Sequence, residues 1–153
     1  MANTFTQIYL HLIFAVQNRA SLIQPEWKDE LYKYITGIIQ NNGYKLIAIN
    51  GTPNHLHIAV SHKPHQPIPD LLQDIKGSSS KWINQKKFRK DKFNWQEGYG
   101  AFSFSHSQID RIVKYLNNQE HHHKKKTFRE EYIQLLKKYD ILYDEKYILI
   151  NIT

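Results

Sequence analysis

Two apolar runs of strand length, "YKLIAING" (44–51) and "HLHIAVSH" (55–62), are separated by only the three residues "TPN". So short a connection predicts a hairpin, because a parallel pair needs a crossover of a dozen or more residues. A third run, "IYLHLIFAV" (8–16), is apolar nearly throughout and suits a central strand. Between it and the hairpin lies "PEWKDELYKYITGIIQNN", with Trp27, Leu31, Tyr34, Ile35, Ile38 and Ile39 at helical spacing; Pro25 opens this helix and Gly43 closes it. After a proline-punctuated loop (63–70), a second helix is expected from Asp70 to Gln85, weakened by Gly77 and three serines. The basic, aromatic stretch "KKFRKDKFNWQEG" reads as a loop, and "YGAFSFS" (99–105) alternates like a half-buried strand.

The order β-α-β-β-α-β is that of the ferredoxin-like, split β-α-β fold, in the α+β class. It predicts an antiparallel sheet with two helices on one face. The other face is left to bind something or to be covered by the remaining segments. These are a helix over "SQIDRIVKYLNNQEHHH", a helix over "TFREEYIQLLKKYDI" with Thr127 and Glu130 as a capping box, and a last strand over "KYILIN". No repeat or Gly/Ser linker divides the chain, which reads as one domain over 1–153.

Composition narrows the chemistry. The chain has 153 residues, 41% of them apolar and 23% charged, as expected for an ordinary globular protein. It has no cysteine, which removes disulfides, thiolate metal sites and cysteine nucleophiles together. The formal charge of +7 favours a polyanionic partner. The N-terminus "MANTFTQ" lacks a basic export signal and the first apolar run is too short to span a bilayer, so a cytoplasmic protein without membrane attachment is expected.

On a strand, residues i and i+2 share a face, so His55 and His57 project together with Leu56 behind them. Two such imidazoles can grip one metal ion, or simply be strand histidines satisfied by water. In "YLNNQ", Tyr115 and Gln119 are four residues apart and share a helix face. Each alone has an ordinary reading, Tyr115 as a rim aromatic and Gln119 as solvated surface. Together with the histidines they offer a phenolic nucleophile and an amide oxygen as third ligand.

With "YLHLIFAVQNR", "NHLHIAV", "IPDLLQDIKGSSSKWIN", "FNWQEGYGAFSFSHS", "YLNNQEHHH" and "TFREEY" in this order, the chain resembles the single-tyrosine transposases of the insertion sequence 200/605 type, with their His-hydrophobe-His motif, and the related REP-associated tyrosine transposases. The resemblance implies that His55, His57 and Gln119 hold a divalent ion, Mg2+ or Mn2+. It implies that Tyr115 attacks a phosphate of single-stranded DNA, leaving a 5′-phosphotyrosine and a free 3′-hydroxyl, beside hairpins that mark element ends. It further implies a homodimer joined through its sheets, for which the first strand offers an edge, with the tyrosine acting in cis or in trans. A replication initiator or relaxase with the same chemistry, or a nucleic-acid-binding module of this fold without catalysis, are the alternatives. The expected DNA footprint is the segment holding Lys81, Lys86, Lys87, Arg89, Lys90 and Lys92, with Trp82 and Trp95 available to stack unpaired bases. "HHHKKK" (121–126) is a second cationic run.

Overall fold

The computed structural model describes residues 3–18 and 21–148. Strand β1 (Ile8–Ala15) is followed by helix α1 (Pro25–Asn41), the hairpin β2 (Lys45–Thr52) and β3 (His55–His62), helix α2 (Ile68–Lys86) and β4 (Gly100–Phe104). Three helices close the described chain: α3 (Ile109–Asn117), α4 (Gln119–Lys125) and α5 (Phe128–Lys138). The four strands form one antiparallel sheet in the order β2-β3-β1-β4. That is the strand order of the ferredoxin-like fold, with β1 and β3 in the middle.

The pleat divides the sheet cleanly. Leu10, Leu12, Phe14 and Val16 of β1, with Leu56, Ile58 and Val60 of β3, form the main core against α1 and α2. Helix α1 brings Trp27, Leu31, Ile35 and Ile39, spaced by four residues, into that core. Helix α2 is one continuous element despite Gly77, because Leu71, Leu72, Ile75, Ser79 and Ile83 keep one buried stripe along its length. The alternate residues, His11, Ile13 and Ala15 of β1 and His55, His57 and Ala59 of β3, point to the opposite face. There Ile13, Ala15 and Phe102 meet Phe128, Tyr132 and Leu136 of α5. Ala59 and Phe104 meet Leu116 of α3. The second face is therefore covered by the C-terminal helices.

Three expectations change. The single helix expected over 107–123 is broken at Asn118, whose backbone leaves helical geometry (φ −100°, ψ 19°) between α3 and α4. Two adjacent asparagines, whose side chains compete for backbone hydrogen bonds, supply the weak point. Strand β1 pairs on both sides, with β3 and with β4, and so is no edge for dimer pairing; the edges are β2 and β4. The expected last strand does not start at Lys146, since residues Glu145–Tyr147 form a 3-10 turn; the rest of that stretch lies outside the described residues.

Gly100, at the start of β4, is required by packing. A Cβ there would lie 2.7 Å from Ile13 Cγ2 and 2.9 Å from the Tyr132 ring. The missing side chain lets α5 lie directly on the sheet.

Candidate active site

His55 and His57 stand on β3 one residue apart, on the face covered by the C-terminal helices, and are almost completely buried. Each ring is oriented by a neighbour. His55 Nδ1 lies 2.6 Å from Asn54 Oδ1, which also accepts the Thr52 hydroxyl at 2.7 Å. An amide oxygen can only accept, so His55 carries a proton on Nδ1 and turns Nε2 inward. His57 Nδ1 lies 2.7 Å from Nε2 of His11, a third buried histidine contributed by β1. Burial and the neighbouring His57 push the His11 imidazole down to about 3, so it is neutral near pH 7.

The inward-facing atoms converge. His55 Nε2 is 3.0 Å from Gln119 Oε1 and 3.4 Å from Glu131 Oε1, and His57 Nε2 is 3.2 Å from the same carboxylate oxygen. The ligand atoms of His55, His57 and Glu131 lie within 4.8 Å of one another. With Nδ1 of His55 protonated, a neutral ring presents a lone pair to two oxygen acceptors. Such a cluster of lone pairs is stable only with positive charge among them, from imidazolium protons or from a metal cation. Two imidazole nitrogens, an amide oxygen and a carboxylate fit a divalent first-row ion or Mg2+.

Glu131 was not singled out from the sequence. The capping box of Thr127 and Glu130 starts α5, and Phe128, Tyr132 and Leu136 set its buried stripe. Glu131 follows Phe128 by three residues and falls on that stripe, which brings its carboxylate onto the histidines. A carboxylate on the apolar face of a helix is itself a signal, because a buried charge requires partners. Burial alone would raise its pKa, but hydrogen bonds and charge from His55 and His57 outweigh this and hold it far below the ordinary carboxylate range.

Tyr115, on α3, donates its hydroxyl to Glu131 Oε2, to which Gln119 Nε2 also donates at 3.2 Å. Its half-buried ring lies edge-on to His57, centroids 5.7 Å apart. Burial and then the Glu131 carboxylate raise the Tyr115 pKa, so the group is a phenol and not a phenolate. Despite the break at Asn118, Tyr115 and Gln119 reach the same carboxylate as the histidines, all from one chain. Phe128 covers His55, with ring centroids 4.2 Å apart.

The basic segment lies on the other side of the sheet. Lys81, Lys86, Lys87, Lys90 and Lys92 are exposed, and an open concavity of about 540 Å³ is lined by Ser80, Lys81, Asn84, Gln85, Lys92 and Asn94. Arg89 is half-buried and donates to the Leu22 carbonyl at 2.7 Å. The aromatics mostly turn inward. Trp95 is 8% exposed, donates to Ser79 Oγ and packs edge-on against Phe14 and Phe93, so it is not a platform for bases. Its burial follows from the bridge that Trp95 makes to Val16 at the end of β1. Trp82 is half-buried with one face on Tyr34.

Residues 4–119 match the family described as "Transposase IS200 like". The chain is 27% identical over 118 residues to the ISDra2 transposase TnpA of Deinococcus radiodurans, spanning 74% of this chain and 84% of that one. Two solved structures share the fold. One is a crystallised transposase-like protein of Deinococcus radiodurans (TM-score 0.62, 24% identity, 76% of this chain and 94% of that one). The other is a REP-associated tyrosine transposase bound to a REP hairpin (TM-score 0.58, 14% identity, 78% and 72%). His55, His57, Tyr115 and Gln119 fall inside the family match; Glu131 follows it. Among the described residues, no helix is long and apolar enough to cross a membrane.

Proposed function

The chain belongs to the IS200-like transposase family, and from that premise we propose that it cuts and rejoins single-stranded DNA beside hairpins, through a covalent link between Tyr115 and a 5′-phosphate. The observation that carries this reading is the meeting, within one chain, of the Tyr115 hydroxyl, the Gln119 amide and both histidine Nε2 atoms around the Glu131 carboxylate.

His55, His57 and Gln119 would hold a divalent ion, Mg2+ or Mn2+, with Glu131 as a further oxygen. Such an ion, when bound, polarises the scissile phosphate and offsets its charge. The chain's own groups do the rest. Glu131 Oε2 holds the phenol proton and fixes the rotation of the Tyr115 hydroxyl, as positioning for attack requires. The Tyr115 oxygen forms its bond to phosphorus as the bond from phosphorus to the 3′-oxygen breaks. The phenol proton passes from its hydrogen bond with Glu131 Oε2 to solvent water, and the departing oxygen takes up one proton from solvent in turn and becomes a 3′-hydroxyl, so the step is proton-neutral. The phosphodiester energy is kept in the phosphotyrosine, so rejoining requires only the reverse attack by a 3′-hydroxyl. The exposed lysines from Lys81 to Lys92 would follow the DNA backbone, the role that a sequence-independent cationic surface performs. Hairpin recognition is supported by the fold shared with a hairpin-bound relative. If the protein is a homodimer joined through its sheets, β2 or β4 supplies the edge.

The test is incubation with Mn2+ and hairpin-bearing single-stranded DNA, followed by denaturing electrophoresis. A covalent protein–DNA band is expected from the natural protein and none from Tyr115→Phe, with binding retained. An adduct that persists in that variant would move the nucleophile to another residue, Tyr99 or Tyr132 being the candidates.

A further inference from the structure

The proposed reaction leaves one buried polar group beside the site without a part, His11. It is 2% exposed and stands in the middle of the apolar β1. The strand register sets Ile13 opposite His57 and Ala59 opposite His11, so the two histidines are diagonal neighbours on one face. Their facing nitrogens, His11 Nε2 and His57 Nδ1, are 2.7 Å apart, with the rings inclined at 29°. The edges of Phe102 and Tyr115 stand against the His11 ring, at 6.2 and 6.1 Å between centroids, and limit its rotation.

We infer that His11 is a positioning residue for metal binding: its Nε2 accepts the Nδ1 proton of His57 and so keeps His57 Nε2 turned toward the cation. This rests on the metal reading above. A histidine that gives Nε2 to a metal carries its proton on Nδ1, and a buried N–H needs an acceptor. For His55 that acceptor is the Asn54 amide oxygen. For His57 it is an imidazole, which adds a property the amide oxygen lacks. In the metal-free protein, His57 can donate from Nε2 to Glu131 Oε1 at 3.2 Å while its Nδ1 accepts from His11 Nε2–H. On metal binding both rings exchange tautomers, and the two facing nitrogens share a proton in either state. The two facing nitrogens are therefore paired with and without the ion.

The experiment compares Mn2+ binding, by electron paramagnetic resonance titration, for the natural protein, His11→Leu and His11→Gln, with melting in the absence of metal as the check on folding. His11→Leu removes the acceptor and is expected to bind Mn2+ about 10- to 100-fold more weakly, the usual effect of losing such a partner. His11→Gln places an amide oxygen near the same point and should recover most of that loss. Independently, the natural protein loaded with diamagnetic Zn2+ and labelled with 15N-histidine should show a nitrogen–nitrogen coupling across the His57–His11 hydrogen bond. Unchanged Mn2+ affinity in a folded His11→Leu, a glutamine variant as weak as the leucine one, or absence of that coupling would each overturn the inference. If the leucine variant does not fold, the coupling decides. If the natural protein binds no Mn2+, the metal reading itself fails, and this inference with it.

Discussion

Glu131 gathers four groups of the site around one carboxylate: two histidines, a phenol and an amide. Its carboxylate would otherwise be an unpaired charge in a dry environment, and the surrounding donors outweigh that cost. Glu131→Gln removes the charge and keeps the shape. Mn2+ affinity, measured by calorimetry, should fall by at least the roughly tenfold typical of a lost supporting partner, while the fold, checked by circular dichroism, remains. The residue was legible in principle. "TFREEY" places one glutamate at the N3 position of a capping box and the next on the buried stripe of α5. Only the second lacks a local explanation, and a charge without one marks a site. His11 gave the same kind of sign, a titratable group inside an apolar strand.

At the scale of elements, the site exists because α3, α4 and α5 fold back over the face of the sheet opposite α1 and α2. Contact between α5 and the sheet depends on Gly100, beneath Tyr132. Gly100→Ala forces Ile13, Phe102 or Tyr132 to move, an overpacking that costs about 1–3 kcal/mol. The displacement also lifts Glu131 from the histidines. The variant should therefore melt earlier and bind Mn2+ more weakly, and the two losses should appear together. A lower melting temperature with unchanged Mn2+ affinity would mean that α5 adjusts without moving its carboxylate.

The whole molecule places the basic segment from Lys81 to Lys92 and the candidate chemistry on opposite sides of one sheet. Replacing Lys86, Lys87 and Lys90 together by alanine should weaken binding to single-stranded DNA and flatten its dependence on salt. Three lost phosphate contacts reduce the slope of log affinity against log salt by about 2. Adduct formation at saturating DNA should be little changed. In the proposed homodimer, the tyrosine could work in its own subunit or in the partner's. Tyr115 reaches Glu131 and His57 of its own chain. Mixing inactive Tyr115→Phe with inactive His55→Ala should therefore restore no adduct, whereas recovered activity would mean that subunits exchange their tyrosine helices.

The local pattern was enough to determine the order of strands and the first two helices and the face shared by His55 and His57. Alternation by two, spacing by three or four, and a three-residue turn are properties of neighbouring residues. What lies across the sheet was decided by tertiary structure alone. Trp95 turned into the core because its segment bridges to β1, and β1 became a central strand because β4 pairs on its free side. Glu131 and His11 joined the histidines from positions 74 and 46 residues away from His57 along the chain. No local rule connects such positions. They meet because two apolar faces, one on a strand and one on a helix, must be buried against each other, and burial brings their polar exceptions together.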